Sequence, residues 1–213
     1  MQMYVKPAMR GALHQAAFYS SLGAGLMLIA VAHTHIGRIS ALIYVVTLSG
    51  LFGASALYHR PQWSEKPRQW LRKIDHSSIY LLIAGSATPV ILLGMNQNSG
   101  TRLLWTIWIA ALFGALKCFF WPMAPRLLNV ILYISAGLIS LPYLSEIRQG
   151  LGPLGMSLLI IGGVVYSAGA FVYCFKKPNP FPKTFGYHEI FHAMVVIASA
   201  CHFKVIYDLV QTH

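Results

Sequence analysis

Charge is scarce in this chain. Of 213 residues, aspartate and glutamate together supply 5 and lysine and arginine 16, so only 10% are charged, far below the roughly one quarter typical of soluble domains. That shortage excludes an ordinary water-soluble globule. Cysteine is as sparse: Cys118, Cys174 and Cys201 are the whole set, each inside or at the end of an apolar run. A disulfide framework is therefore not expected, and the thiols read as buried packing groups. Long polar segments are also missing. The longest lies at 60–73, followed by 176–187 with its three prolines, and neither is long enough to fold alone. There is no low-complexity tract or solenoid-type repeat. The opening residues, Met1 to Arg10, are polar and basic without a small-residue cleavage site after an apolar core, so no cleavable signal is expected.

Apolar residues, by contrast, make up 56%. They fall into seven runs, at roughly 15–31, 39–58, 74–95, 103–121, 127–144, 154–175 and 188–209, each close to the ~20 residues a helix needs to cross a hydrocarbon core of ~30 Å. The expected fold is an all-α membrane protein, a single seven-transmembrane helix bundle over residues 1–213. The first run is diluted by Gln15, Ser20, Ser21 and glycines, and the fifth is short and stops at Pro142. Six spans is the alternative, and the charges argue for seven. With an inside N-terminus, eleven cations fall on the cytoplasmic side: Lys6, Arg10, Arg60, Lys66, Arg68, Arg72, Lys73, Arg126, Lys176, Lys177 and Lys183. Only Arg38, Arg102 and Arg148 fall opposite. This is a strong positive-inside bias. Lys117 and Lys204 sit near helix ends, where their stems can snorkel to the interface. The C-terminus then faces out. The net charge of +11 is accounted for by topogenic loops meeting anionic lipid, which leaves no nucleic-acid signal and makes membrane lipids the expected partners.

Ionisable groups within a bilayer are expensive and point to function. The second span ends at the cytoplasmic edge with Ser55 and His59, the third begins there with Asp75 and His76, and the seventh begins there with His188 and His192. Three distant segments thus bring His59, Asp75, His188 and His192 to one depth. Ser55 lies one turn before His59 on the same face, and His188 and His192 diverge by only about 40°. His202 faces the same way but lies ~15 Å beyond His192, too far to share an ion with ligand bonds of ~2 Å. It is excluded from the ligand set and expected to line the same interior.

Three imidazoles with a fourth position open suit catalytic zinc, so His59, His188 and His192 are the expected metal ligands and zinc the expected cofactor. Zinc in such a site brings the pKa of water near neutrality. Asp75 can then hold or deprotonate that water, and Ser55 can hydrogen-bond it or orient His59. The run His188-Glu189-Ile190-Phe191-His192 also matches the His-Glu-x-x-His pattern in which the glutamate is a general base. The helix sets Glu189 about 80° from the mean direction of the two histidines. A helix-start carboxylate favoured by the dipole is the preferred reading of Glu189.

Ser55-x-x-x-His59, the Asp75-His76 step, the run from Ile79 to Pro89, and His188-x-x-x-His192 followed by Cys201-His202-Phe203 resemble the progestin and adiponectin receptor family. The short chain is similar to its bacterial haemolysin III branch. The resemblance covers nearly the whole chain. It implies a seven-helix fold in a plasma or inner membrane, with zinc near the cytoplasmic face on the residues matching His59, His188 and His192, and with Asp75 and Ser55 beside it. The chain departs from the family at the start of the first span, where an acidic residue and an asparagine usually precede a histidine at four-residue spacing. Here those places read Lys6 or Pro7, then Arg10, then His14. Glu189 is not a fixed family feature. The resemblance to these receptors and to alkaline ceramidases implies a zinc-dependent hydrolase acting on a lipid amide or ester, ceramide-like, that enters between helices. The alternatives are a non-catalytic lipid-state sensor or regulator with structural zinc, and a haemolysin or channel. The oligomeric state is left open.

Overall fold

The computed structural model describes residues 6–213; Met1 to Val5, part of the basic opening segment, lie outside the described residues. Seven α-helices follow one another: α1 (Ala12–Ala30), α2 (His35–His59), α3 (Glu65–Gly94), α4 (Gln97–Phe120), α5 (Arg126–Leu138), α6 (Leu144–Phe175) and α7 (Tyr187–Thr212). A single 3-10 turn at Leu141–Tyr143 separates α5 from α6. Among the described residues there is no strand beyond one isolated bridge between Phe181 and Phe185.

Five stretches are long and apolar enough to cross a membrane: His35–His59, Glu65–Gly94, Gln97–Phe120, Arg126–Phe175 and Tyr187–Thr212. The fourth is 50 residues long and contains both α5 and α6. The surface is inverted relative to a soluble bundle. Leu26, Trp105 and Phe113 are each about two-thirds or more exposed, while serines and histidines are buried. Large exposed apolar faces of this kind mark contact with lipid. Inside, α1, α2 and α7 share a core around Leu28, Tyr44, Phe52, Val195 and Ile206, and α3 and α4 share one around Tyr80, Ile91, Leu103 and Ile107.

Two boundaries differ most from the sequence reading. Helix α3 begins at Glu65 rather than near 74, because Ser64 supplies an extended backbone before the first turn and Glu65 places a carboxylate at its positive end. Pro67 falls in that first turn, where a missing N–H costs nothing. The link between the fifth and sixth runs is also displaced. Residues 144–151 are helical, and the break comes at Gly152, whose φ of 66° and ψ of 177° interrupt α6 just before Pro153. The first turn of α6 caps another helix: Glu146 Oε1 accepts from the Asn96 backbone N–H at 2.7 Å and from Ser99 Oγ at 2.6 Å, at the start of α4.

Without water to drive association, helices in lipid approach through small residues, and Gly150 is an instance. A Cβ there would collide with the Gly94 carbonyl that ends α3. Gly150→Ala is expected to lower stability by about 1–3 kcal/mol, measurable as a lower thermal unfolding midpoint in detergent.

Candidate metal centre

Two helix ends build the centre. Helix α2 terminates on His59, and α7 opens with His188 and His192 one turn apart. The three side chains are buried, and each offers a ring nitrogen so that all three lie within 4.8 Å of one another. Nε2 of His59 and Nε2 of His188 are 3.2 Å apart. A tetrahedral zinc with bonds of ~2.0–2.1 Å holds adjacent nitrogens ~3.3 Å apart, so the pair already has the separation that a shared ion imposes. Ring centroids of His188 and His192 are 4.5 Å apart, and those of His59 and His192 5.2 Å. The donor set and its spacing fit a metal of the zinc type.

Asp75 reaches this cluster from α3, with Oδ2 3.8 Å from His59 Nε2. That is too long for a hydrogen bond and leaves the carboxylate beside the imidazoles rather than among them. Ser55, buried one turn before His59, faces the same space as Asp75 and the three histidines. That space is a chamber of 1040 Å³ reaching down the bundle between α3, α5, α6 and α7. Its lining changes with depth from Asp75 and His76 to Leu82, Val90 and Ile91 on α3 alone, a descent of ~24 Å at 1.5 Å per residue. The volume matches or exceeds that of pockets that hold drug-sized ligands, about 300–1,000 Å³. His202 lines the chamber away from the cluster, with Nε2 3.2 Å from the Leu159 carbonyl, as its depth in the sequence required.

A family profile described as Haemolysin-III related matches residues 2–203. The chain belongs to the haemolysin III-related family. Among relatives of this haemolysin III-related chain, the hemolysin-3 homolog of Bacillus subtilis (strain 168) is 34% identical over 165 residues, covering 78% of this chain and 74% of that protein. Hemolysin-3 of Bacillus cereus is 32% identical over 208 residues, covering 95% and 91%. The ADIPOR-like receptor IZH1 of Eremothecium gossypii is 24% identical over 180 residues, covering 76% of this chain and 57% of that protein. The last match joins the branch to the progestin and adiponectin receptor family.

The structure separates the residues of the His-Glu-x-x-His run. Glu189 turns away from the histidines: Oε1 accepts from Arg10 Nε at 2.5 Å and Oε2 from the Gly186 backbone N–H at 2.9 Å. Both oxygens are engaged and the side chain is 1% exposed, which fits a helix-start carboxylate and not a base facing the chamber.

Two further side chains stand against the centre in this haemolysin III-related chain: Tyr173, which no sequence motif marks, and His14, the histidine at the start of the first span, to which the sequence assigns no place in the ligand set. Tyr173 of α6 meets His188 edge-on at 5.6 Å, with the Arg126 guanidinium 5.4 Å from its ring centroid. A tyrosine near a helix end reads equally well as a membrane-interface anchor, and nothing in its spacing marks it. His14 lies flat on His192, centroids 3.7 Å apart and planes 7° off parallel. It is 3% exposed, and neither of its nitrogens has a partner. His14→Phe keeps an aromatic ring against His192 and removes two unsatisfied buried atoms. It is expected to hold or raise stability, by up to about 2 kcal/mol, with metal affinity within a few-fold of the parent. His14→Ala leaves a void against His192 and is expected to lose about 2–4 kcal/mol. Thermal unfolding with and without added zinc distinguishes them.

Proposed function

We propose that this haemolysin III-related protein is a zinc-dependent hydrolase that cleaves an amide or ester bond of a ceramide-like membrane lipid close to the cytoplasmic face. The observation that carries the reading is the juxtaposition of three imidazoles and a carboxylate at one end of a long apolar chamber. A metal that only staples helices together needs no such space beside it. His59, His188 and His192 would hold the ion. Zinc bound this way supplies Lewis acidity toward a carbonyl and lowers the pKa of water.

The chain's own residues supply the rest. Asp75, outside the ligand set but adjacent to it, accepts and returns a proton, and Ser55 fixes the position of the reacting water by hydrogen bonding. The apolar lining below them takes an acyl chain. Leu138, Leu141, Ile160, Val164 and Phe171 line the chamber and are also about half exposed on the outer surface, which supports lateral entry of lipid between α5 and α6. The reading includes seven spans in a plasma membrane with the N-terminus cytoplasmic. The 50-residue stretch Arg126–Phe175 amounts to ~75 Å of helix, enough to cross a ~30 Å core twice, and the eleven-to-three distribution of cations orients it.

The test is metal analysis of the purified protein followed by incubation with a panel of ceramides, phospholipids and acyl amides, with products read by mass spectrometry. One equivalent of zinc with release of fatty acid from at least one lipid is expected. Stoichiometric zinc without turnover of any lipid in the panel sinks the hydrolase and leaves a regulator.

A further inference from the structure

The two helix ends that carry the histidines are bridged by a segment that contributes no ligand. Lys6 donates from Nζ to the His59 carbonyl at 3.2 Å and to the Pro61 carbonyl at 2.8 Å, satisfying acceptors left over at the C-terminus of α2. Ala8 and Met9 donate their backbone N–H groups to the carbonyls of Lys183 and Thr184, at 3.1 and 3.3 Å, in the approach to α7. Arg10 then reaches Glu189, which also holds the Gly186 N–H at the start of α7. Gly11, in a left-handed conformation with φ 77°, lies so close to α2 that an added Cβ would be 2.7 Å from His59 Cβ. Within six residues the chain thus fastens to the His59 end, to the loop before α7 and to the residue next to His188. Burial, with Arg68 and Arg10 nearby, holds the Lys6 ammonium below its ordinary pKa, consistent with a segment pressed into place.

We infer that residues 6–11 form a strap across the metal centre, and that the Arg10–Glu189 pair is its latch, a positioning element that fixes the register of α7 against α2 and so sets the separation of His188 from His59. The inference rests on metal binding by the three histidines and adds how their spacing is maintained. Glu189 is suited to this because it joins Arg10 to the first turn of the helix that bears two ligands. Its neighbour His188 is the residue whose nitrogen stands 3.2 Å from that of His59. A latch acts on geometry, so its loss is read in affinity and ligand field before it is read in folding.

The experiment uses the full chain in detergent with Zn²⁺ and Co²⁺ in competition against a chelator, the cobalt absorption bands reporting the tetrahedral field. Arg10→Met and Glu189→Gln are each expected to weaken zinc about 10–100-fold, the range found when partners that orient metal ligands are removed, and to shift or broaden the cobalt bands. Arg10→Lys, which keeps the cation and leaves both Glu189 contacts available, is expected to recover most of the affinity. Where Glu189→Gln does not fold, Arg10→Met carries the comparison, because it leaves the Glu189 cap on Gly186 in place. The latch is overturned when wild-type chain binds zinc and both single variants bind it equally tightly with unchanged cobalt spectra. It is also overturned when melting temperatures fall equally in metal-free and metal-loaded forms at constant affinity. Wild-type chain that takes up neither metal overturns the metal reading and the latch with it.

Discussion

His192→Ala is expected to remove the metal. Structural zinc held by four protein ligands is worth about 10–16 kcal/mol, so one ligand carries on the order of 3 kcal/mol and its loss weakens binding roughly 10²–10³-fold. His192 is the ligand on which this is sharpest, since it is 2% exposed and covered by His14 on one face, so no surface group is placed to replace it. Alanine also leaves a void beside His14, and His192→Phe separates the two effects by keeping the volume and removing the nitrogen. Both variants are expected to lose zinc on gel filtration against a chelator, while only the alanine variant also loses stability in the metal-free state. His59→Ala and His188→Ala should follow the same pattern. Retention of stoichiometric zinc by the His59 variant would break the three-ligand set, because the ion would then be held on α7 alone.

The residues of that set were visible in the sequence because a membrane reduces a three-dimensional question to one of depth. Once the apolar runs are laid down in alternating directions, His59, Asp75 and His188 must share an end, and helical spacing places His192 on the same face as His188. Depth says nothing about azimuth. By sequence Arg10 is one of eleven topogenic cations and Glu189 a helix-start carboxylate, yet 179 positions apart they meet at 2.5 Å. His14 faces His192 for the same reason, through packing of α1 against α7 that no periodicity encodes. The helix boundaries failed on local chemistry. Hydropathy loses sight of a helix once it leaves lipid, so the polar first turns of α3 fall outside the apolar run at 74–95. The break between the fifth and sixth apolar runs is divided between a 3-10 turn holding Pro142 and a left-handed Gly152 within α6. The first run illustrates the converse. Helix α1 forms over Ala12–Ala30, although its glycines, serines and Gln15 keep it out of the set that is apolar enough to cross a membrane.

Asp75→Asn is expected to separate binding from catalysis. The substitution preserves shape and most hydrogen-bonding capacity but removes the ability to accept and hold a proton. Side chains that transfer protons in a reaction contribute about 10²–10⁴-fold, and lipid turnover should fall by that factor. Zinc content should not change, because Asp75 lies 3.8 Å from His59 Nε2 and outside the group of mutually close nitrogens. The fold should also hold, since an amide keeps the shape of the carboxylate and carries no charge to bury. The measurement is the initial rate of fatty acid release at saturating lipid, normalised to bound zinc, for wild type and variant. A variant that turns over lipid at the wild-type rate removes Asp75 from the chemistry and leaves Ser55 as the remaining polar group of the set beside the histidines. A variant that loses zinc in proportion to activity instead makes Asp75 part of the site's binding electrostatics. The prediction is therefore specific to a carboxylate that handles protons next to the ion without holding it. Its carboxylate, carried by α3 to 3.8 Å from His59 Nε2, stands beside the helix ends that supply the imidazoles.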